Sequence, residues 1–484
     1  MTRKGPRGPR PPARSDSAPQ TARKGRAPQT ARHVSAPLTA RHSSAPPTAR
    51  RRAVEGIRRV LEGGRLAAPV AGELGRGLET RDADLLRELL LGVLRWKSAL
   101  DEEIGAVSRV PLPKLAPNLR EILEVALYQL RHLDRVPPYA AVSEAVDHAR
   151  DSGGEGAARL VNGVLRGILL LPPPSAPGEA DGAGRAARLA AFYSHPLFLV
   201  ERWLARFGPH ETRRLLEADN EAPRLDLLVG PRGGTREDAR AALAREGVET
   251  EPSPLAPRAL TVLSGNPLRS ELLASGAYSV QDVGSQVLPL LLPPADLLVD
   301  LAAAPGGKSM SALAHGRARI AIALDVSPAR LGRVSENARR LELRGLASVA
   351  ADVSRPPLPE RRFDRVLLDA PCSGTGTLRK NPEIRYRVTP GAIERLARSQ
   401  EEWLASAARL LAPGGLLLYA TCSLEEEENE RVVARVLAGD ASLERAPIEP
   451  PAAALAARIE GDRFRILPDD RSDGFTAHLL RRKP

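Results

Sequence analysis

Cysteine and aromatic residues are scarce in this sequence, and it has no long apolar run. The 484 residues include two cysteines, and Phe, Trp and Tyr together make up 3%. Two cysteines exclude a small secreted fold stapled by disulfides and favour a cytoplasmic enzyme with reduced thiols. The longest apolar runs are broken by Pro or Asp well short of a membrane span. We therefore expect a soluble protein with no membrane partner, whose cores are built from Leu, Val and Ala.

Positive charge is concentrated at the amino terminus. Residues 1–50 hold eleven Lys and Arg residues against the single acid Asp16, which gives +10 of the net charge of +12. The sequence APQTAR and close variants of it recur every nine residues from Ala18 to Ala45. Because such a composition buries almost nothing, we expect residues 1–50 to form a disordered tail. The tail could attract RNA phosphates, but a dispensable extension explains it equally well.

Changes in apolar periodicity divide the rest of the chain. Residues 51–172 place apolar side chains three and four positions apart, which predicts an all-α domain. Pro, Gly and Ser in 173–188 predict a linker, and 189–278 indicate a small α+β domain. In 279–484 strands alternate with helices, which predicts a Rossmann-like α/β domain with a parallel, doubly wound sheet.

The segment DLAAAPGGKS combines a strand, a turn of small residues and the start of a helix. Small residues allow the backbone to approach an adenosine-bearing cofactor closely. Asp325 ends the next strand, where a carboxylate can bind both ribose hydroxyls, and Asp352 ends the third, near an adenine. A helix-capping role explains each Asp equally well. A phosphate-binding P-loop is disfavoured because Ala302 stands where its first glycine is required.

The two cysteines, Cys372 and Cys422, follow the predicted strands FDRVLLD and LLLYAT. If these strands are parallel neighbours, both thiols face one cleft beside the cofactor. A thiolate there suits methylation of pyrimidine carbon 5, because attack on carbon 6 makes the ring nucleophilic and a base later removes the carbon-5 proton. Asp369 is the natural partner for N3 and N4 of the ring. These residues alone leave open which thiol attacks.

Three segments, DLAAAPGGKS, LLDAPCSGTGTLRKNPEIRY and YATCSLEEEENERVV, are similar to motifs of the Sun/Fmu family of RNA 5-methylcytosine methyltransferases. The segments ELLLGVLRW, ALYQL and LVNGVLRG resemble the NusB-like RNA-binding domain that is fused to the bacterial 16S ribosomal RNA branch. The resemblance spans about residues 53–480. It implies S-adenosyl-L-methionine as cofactor, and 16S ribosomal RNA or a small-subunit assembly intermediate as partner.

The resemblance also implies roles for individual residues. Cys422 is the expected nucleophile, and Cys372 is expected to assist release of the methylated product. Asp369 and Lys308 complete the expected catalytic set. The expected cofactor contacts are Ala302, Ala303, Ala304, Pro305, Gly306, Gly307, Lys308, Asp325, Asp352 and Asp369.

A cluster of basic residues follows Cys372, and we expect it to contact the phosphates of the substrate RNA. A solvated loop is the alternative interpretation, which we disfavour because the cluster leaves the edge of the expected active site. The residues are Arg379, Lys380, Arg385 and Arg387.

Two further segments are interpreted as structural. In the acidic run Glu425–Glu428, we expect Ser423 and Glu426 to form a capping box, so no metal site is predicted. The segment DGFT, which begins at Asp473, is assigned to core packing alone.

The leading interpretation is an enzyme that methylates carbon 5 of a specific cytosine in 16S ribosomal RNA through a covalent adduct between Cys422 and carbon 6. The alternatives are a transfer RNA cytosine-C5 methyltransferase and a non-catalytic, NusB-like RNA-binding factor of ribosome assembly. The presence of both cysteines, Lys308 and Asp369 favours an enzyme over the assembly factor. We expect the protein to be a cytoplasmic monomer.

Overall fold

The computed structural model describes residues 48–178, 184–450, 452–469 and 471–484. The predicted tail spans residues 1–50, and its residues 1–47 lie outside the described residues. A helix already begins at Ala49, and the Thr48 hydroxyl accepts a hydrogen bond from the Arg51 N–H. The last repeat of the tail thus supplies a helix N-cap.

The first part of the chain is all-helical, as predicted. Its long last helix is interrupted at Gly154, whose φ of 73° is left-handed. Buried Leu, Val and Ala side chains from all of these helices form one core. The helices are α1 (Ala49–Leu61), α2 (Ala67–Leu74), α3 (Thr80–Val107), α4 (Pro117–His132) and α5 (Pro138–Leu169).

The second part has mixed α and β structure, also as predicted, although its first helix begins inside the stretch predicted to be linker. Its elements are α6 (Arg185–Phe192), α7 (Leu197–Ala218), β1 (Asp226–Val229), α8 (Arg236–Arg245), β2 (Glu249–Pro252), β3 (Ala259–Ser264), α9 (Glu271–Ser275) and β4 (Tyr278–Val280). The strands form an antiparallel sheet in the order β2-β3-β1-β4. Ala239 and Leu243 of α8 pack against this sheet.

The third part alternates strands and helices around a larger sheet. Its elements are α10 (Val283–Val287), β5 (Ala295–Leu301), α11 (Gly307–Ala314), β6 (Ala318–Asp325), α12 (Pro328–Arg340), β7 (Leu346–Ala350), β8 (Phe363–Asp369), α13 (Pro390–Arg409), β9 (Leu411–Thr421), α14 (Glu430–Gly439), β10 (Leu443–Arg445), α15 (Ala453–Ala456), β11 (Ile459–Glu460), β12 (Arg463–Ile466) and β13 (Phe475–Arg482). The sheet has the order β11-β12-β13-β9-β8-β5-β6-β7, and β10 pairs with β13. Strands β5 to β9 pair in parallel, as predicted.

The strands that follow Cys422 are antiparallel, so the predicted parallel strands form part of a mixed sheet. Strand β13 pairs with β9 from Thr476 opposite Thr421 to Arg481 opposite Leu416, and β12 adds to its other side. Almost every residue of β13 is buried, so its sequence FTAHLLRR lacks the alternation of a half-exposed strand. Periodicity alone therefore misses it.

Strand β5 lies between β6 and β8, so the chain connections leave it in opposite directions across the sheet. In such sheets, ligands bind in the crevice at the carboxyl ends of the strands where the direction reverses. The loops after β5 and β8 leave from this edge. They are the loop that carries Cys372 and residues 302–308, whose last two residues open α11; we name residues 302–308 the cofactor loop after the contacts expected of them.

Candidate active site

The two cysteines lie side by side at the carboxyl ends of β8 and β9. These strands are parallel neighbours, with Asp369 opposite Ala420. The Sγ atoms of Cys372 and Cys422 are 3.3 Å apart, and both side chains are half-buried free thiols. The structure therefore brings together the two thiols that the strand order places in one cleft.

Backbone contacts hold the two cysteine loops against each other. The Gly376 N–H donates to the Cys422 carbonyl oxygen at 2.9 Å, and the Leu424 N–H donates to the Thr375 hydroxyl at 2.9 Å. A Cβ atom on Gly376 would lie 2.9 Å from the Cys422 carbonyl oxygen and 2.7 Å from that of Gly474. Because only glycine permits this approach, the backbone sets the relative position of the thiols.

The surroundings of Cys372 favour its thiol form. Its hydrogen bond with Cys422 raises the pKa of the Cys372 thiol, and burial and the carboxylates of Glu428 and Asp369 raise that pKa further. A thiol with a raised pKa keeps its proton and can donate it in a hydrogen bond. We therefore take the Cys372 S–H as the donor and the Cys422 sulfur as the acceptor of the pair.

Lys308 and Asp369 form an ion pair beside the thiols. Burial disfavours the charged Lys308 ammonium, but Asp369 and Asp300 outweigh that effect and raise the pKa of Lys308. The side chains of Lys308 and Asp369 are 15% and 22% exposed, so both remain accessible from the cleft. The site thus contains a charged ammonium and a carboxylate next to the two sulfur atoms.

The cofactor loop follows a path that only small side chains permit. Gly306 has a φ of 95°, and a Cβ atom there would lie 2.5 Å from Val334 Cγ1 on α12. Ala302 also has a positive φ, of 60°, which non-glycine residues rarely adopt. The side chains of Ala303 and Ala304, in the same loop, are buried. The run of alanines and glycines in the sequence therefore has a steric cause.

Asp300 anchors the cofactor loop from below. It is fully buried on β5, and its Oδ2 atom accepts a hydrogen bond from the Ser309 hydroxyl at 2.5 Å. Burial raises the pKa of Asp300 to about 7. The hydrogen bond joins β5 to the first turn of α11 across the base of the loop. Reasoning from the sequence misses Asp300, although an acid inside an apolar strand is a recognisable signal.

Asp325 and Asp352 each close a turn at the end of a strand. Asp325 Oδ1 accepts from the Ser327 N–H at 2.9 Å, and its Oδ2 accepts from the Ala304 N–H of the cofactor loop at 3.2 Å. Asp352 is exposed, and the hydrogen bond from the Ser354 N–H lowers its pKa. Neither Asp is a helix N-cap, because Ser327 caps α12 and Asp352 is followed by a turn that leads to β8. Val326, beside Asp325, is 71% exposed.

The basic segment, residues 379–387, corrects the prediction that Arg379 and Arg385 contact RNA phosphates. Both are buried, at 2% and 4% exposure. Arg379 Nε donates to Asp473 Oδ1 at 2.7 Å. Arg385 Nη1 donates to the Arg95 carbonyl oxygen at 2.6 Å, and its Nη2 donates to that of Asp219 at 2.8 Å. Burial and these hydrogen bonds within the chain keep both guanidinium groups from RNA, although the buried Nε of Arg385 has no partner of its own among the described residues.

Lys380 and Arg387 are the more accessible members of the basic segment. Lys380 Nζ lies 2.5 Å from Asp282 Oδ2 and 2.8 Å from Asp473 Oδ2. Arg387 is exposed, and its Nη2 atom donates to the Val60 carbonyl oxygen at 3.0 Å. The assignment of the DGFT segment to core packing alone is wrong, because Asp473 pairs with both Arg379 and Lys380.

The basic segment also joins the first helical part of the chain to the large sheet. Arg95 Nε on α3 donates to the Arg379 carbonyl oxygen at 3.0 Å, and the Tyr386 hydroxyl donates to that of Leu94 at 2.6 Å. At the start of α2, the Ala67 N–H donates to Glu383 Oε1 at 3.0 Å. The stretch that follows Cys372 is therefore a joint between two parts of the fold.

Three family models match consecutive parts of the chain. They are the NusB family at residues 47–169, the RsmF/B-like ferredoxin-like domain at 195–269 and the 16S rRNA methyltransferase RsmB/F model at 288–481. The probable ribosomal RNA small subunit methyltransferase B of Bacillus subtilis is 31% identical over 421 residues, which cover 84% of this chain and 92% of the relative. The chain belongs to the RsmB/F family of 16S rRNA methyltransferases.

Other members and structures agree with membership of the RsmB/F family. The ribosomal RNA small subunit methyltransferase B of Klebsiella pneumoniae is 32% identical over 437 residues, covering 89% of this chain and 97% of that protein. The fold is similar to that in the crystal structure of PH0851, with a TM-score of 0.72 and 27% sequence identity. The match covers 90% of this chain and 99% of that chain. The all-α, ferredoxin-like and Rossmann-like parts are thus those of an RNA methyltransferase of this family.

Within the described residues of this RsmB/F family member, no three side chains of His, Cys, Asp or Glu are grouped so that they could hold a metal ion. No helix in the same ranges is both long and apolar enough to cross a membrane.

The acidic run of this RsmB/F family member does not form the predicted capping box. The Ser423 hydroxyl accepts from the Glu425 N–H at 3.0 Å, and α14 begins only at Glu430. Glu428, the last acid of the run, is fully buried. Nothing in a run of four glutamates distinguishes the one that turns inward, so the sequence carried no signal for it.

Proposed function

We propose that this chain transfers a methyl group from S-adenosyl-L-methionine to carbon 5 of a cytosine in 16S ribosomal RNA, through an adduct between Cys422 Sγ and carbon 6. The observation that carries the proposal is the pair of sulfur atoms 3.3 Å apart beside the Lys308–Asp369 ion pair. The names of the two curated relatives support ribosomal RNA of the small subunit as the substrate.

The chemistry explains why two thiols are useful. Carbon 5 of cytosine is not nucleophilic on its own, and attack of the Cys422 sulfur on carbon 6 moves electron density onto it. After methylation, the carbon-5 proton leaves, its electron pair forms the double bond between carbons 5 and 6, and the carbon–sulfur bond breaks. The first thiol makes the adduct, and the second assists its breakdown.

The state of Cys372 supports the release role. Its raised pKa keeps the proton on the Cys372 sulfur, which makes it a poor nucleophile. The same proton can be shared with the Cys422 sulfur as negative charge returns to that atom. We therefore assign attack to Cys422 and release to Cys372.

Lys308 and Asp369 are assigned to the edge of the target ring. The Asp369 carboxylate would accept a hydrogen bond from the N4 amino group of cytosine. Lys308, paired with Asp369, holds that carboxylate in place and brings positive charge near the ring, which gains electron density during attack. The target base has to leave its stack to reach these groups, which favours a loop or partly opened RNA.

S-adenosyl-L-methionine, when bound, supplies the electrophilic methyl group. The residues at the strand ends fit such a cofactor. The cofactor loop has small side chains, the Asp325 carboxylate ends β6 beside it, and the exposed Val326 offers an apolar surface to a purine ring. We assign residues 302–308, Asp325, Asp352 and Asp369 to cofactor binding.

The test is methylation of 16S ribosomal RNA by cysteine variants of the full chain. Cys422→Ala should abolish methyl transfer, because no adduct can form. Cys372→Ala should form the adduct but release it slowly, so that a protein–RNA species resistant to denaturation accumulates on gels. Full turnover by the Cys422→Ala variant would rule out the proposed mechanism.

Bisulfite sequencing of ribosomal and transfer RNA from a deletion strain identifies the substrate. Loss of one 5-methylcytosine in 16S ribosomal RNA is the expected result. Loss in a transfer RNA instead would assign the enzyme to the alternative substrate, and no loss in either would favour an assembly factor.

A further inference from the structure

The buried carboxylate of Glu428 contacts the loop that carries Cys372. Its Oε1 atom accepts hydrogen bonds from the Ser373 N–H at 2.8 Å and from Gln400 Nε2 at 3.1 Å. Its Oε2 atom accepts from the Ser373 hydroxyl. Glu428 is fully buried, and the chemistry described above does not use it.

Further contacts connect Glu428 with both cysteine loops. Gln400 Nε2 also donates to the Pro371 carbonyl oxygen at 2.9 Å, next to Cys372. On the other side, the Tyr419 hydroxyl of β9 donates to the Glu428 carbonyl oxygen at 2.6 Å. The hydroxyls of Ser373 and Ser423, each adjacent to a cysteine, are 3.2 Å apart. Glu428 thus lies between the loop of Cys372 and the strand that leads to Cys422.

We infer that Glu428 is a positioning residue for the release step, and that its negative charge keeps a thiol rather than a thiolate at Cys372. The inference rests on the proposed function. Glu428 does not touch the target base. It acts through Ser373, which follows Cys372 directly, and through the charge that it places beside that sulfur.

The charged groups around Cys372 make this role of Glu428 specific. Cys422 just after β9, Glu428 and Asp369 all act on the Cys372 thiol, and Tyr419 lies near enough to interact with it. Asp369 is compensated by Lys308. The donors that Glu428 receives from Ser373 and Gln400 are neutral. Burial raises the pKa of Glu428, these hydrogen bonds act in the opposite direction and favour its charged form, and no cation among these contacts offsets that charge.

The release step shows what a protonated Cys372 contributes. Water takes the carbon-5 proton, and the electron pair of that bond forms the double bond between carbons 5 and 6. The bond from carbon 6 to the Cys422 sulfur breaks, and its electron pair returns to sulfur. The Cys372 S–H donates a hydrogen bond to this departing thiolate, which stabilises the charge that develops there.

The first experiment needs no RNA. The rate of Cys372 alkylation by iodoacetamide is measured against pH in a Cys422→Ser chain, with and without Glu428→Gln. Removing the buried charge should shift the midpoint of the profile to lower pH by roughly one unit. At a pH below the midpoint, the alkylation rate should then rise about tenfold. Glu426→Gln is the matched control, because Glu426 lies in the same run but is about half exposed, at 47%. An unchanged profile in Glu428→Gln would overturn the inference.

The second experiment measures turnover in chains that keep both cysteines. Glu428→Gln should lower kcat about tenfold, leave KM for RNA unchanged and accumulate the protein–RNA adduct to a level below that of Cys372→Ala. Ser373→Ala, which removes only the hydroxyl donor, should show the same change to a smaller extent. Melting temperatures of all variants are measured in parallel. A loss of kcat without any adduct would mean that Glu428 acts before release and would contradict the inference.

The two experiments separate this inference from the proposed function. If the unaltered enzyme fails to methylate 16S ribosomal RNA, the proposed function fails, while the alkylation profile still reports the effect of Glu428 on Cys372. If methylation proceeds and neither the profile nor the adduct level changes in Glu428→Gln, the inference alone fails.

Discussion

The cofactor loop and the basic segment both connect to the carboxyl edge of the large sheet, but different contacts hold them. The cofactor loop is held by near neighbours, such as Asp325, which accepts from an N–H only 21 residues earlier. The basic segment is held by remote ones. Arg385 donates to a carbonyl oxygen 290 residues away, and the Tyr386 hydroxyl to one 292 residues away.

This difference indicates how each region depends on the rest of the molecule. The cofactor loop needs only the strands and helices around it to keep its shape. The stretch after Cys372 needs the first helical part of the chain to stay docked, because α2 and α3 supply its hydrogen-bond partners. We therefore expect cofactor binding and the position of Cys372 to respond to different substitutions.

The largest effect is expected from Arg385→Ala. The substitution removes a buried guanidinium and its hydrogen bonds to the carbonyl oxygens of Arg95 and Asp219. The free energy of unfolding should fall by about 3–5 kcal/mol, as measured by urea denaturation. Affinity for S-adenosyl-L-methionine, measured by calorimetry on the folded variant, should change little.

Two further variants sharpen this prediction. Arg385→Lys should not restore stability, because one ammonium cannot reproduce the planar fork of donors. Arg398→Ala, at an exposed position of α13, is the control and should change stability by less than about 0.5 kcal/mol. If Arg385→Ala weakens cofactor binding as much as it weakens the fold, the two regions do not respond separately.

The second prediction concerns Asp300 below the cofactor loop. Its folded-state pKa of about 7 lies above the value of about 4 for an unfolded chain. The stability that neutral Asp300 contributes is therefore fully present below about pH 4 and is lost as the pH rises through about 7. The free energy of unfolding should fall by at most about 4 kcal/mol over this range. Asp300→Asn stays neutral, so its free energy of unfolding should fall less between pH 4 and 7 than that of the unaltered chain.

The matched control for Asp300 is Asp296→Asn on the same strand. The Asp296 side chain is 85% exposed and pairs with Arg319 at 3.3 Å, so its substitution should leave the pH dependence as it was. Equal slopes for Asp300→Asn and the unaltered chain would show that Asp300 is not the buried acid that the structure indicates.

The difference between the two regions also explains how far the sequence could predict them. The position of the cofactor loop is predictable from the sequence because close packing around it allows only small side chains, as at Gly306 and Ala304. The burial of Arg379 and Arg385 was not, since it depends on carbonyl oxygens and acids elsewhere in the chain, such as Asp473. Parallel strands are recognisable as apolar runs, whereas β13 is not, because it buries polar side chains at Thr476, His478 and Arg482.

The third prediction tests the local character of the cofactor loop with Gly306→Ala. Gly306 has a left-handed φ of 95°, and the added Cβ atom would lie 2.5 Å from Val334 Cγ1. The substitution should therefore displace the loop and destabilise the fold by roughly 2 kcal/mol. Affinity for S-adenosyl-L-methionine should fall at least about tenfold, as measured by calorimetry. Gly332→Ala on α12 is the control, because nothing lies within 4 Å of its Cβ position. Unchanged affinity in Gly306→Ala would contradict the steric account of the loop.

The smallest effect on stability is expected at the exposed end of the basic segment. Arg387→Ala loses the hydrogen bonds from Nη2 to the carbonyl oxygens of Val60 and Arg65, the second of them solvent-exposed, so the free energy of unfolding should fall by only about 1 kcal/mol. If Arg387 also contacts a phosphate of the substrate, RNA binding should weaken and the slope of log affinity against log salt should fall by about 1. An unchanged slope would show that the whole segment, including its one exposed arginine, serves to join the two parts of the fold. In that case the RNA-binding surface lies elsewhere, and the positive charges after Cys372 act only within the chain.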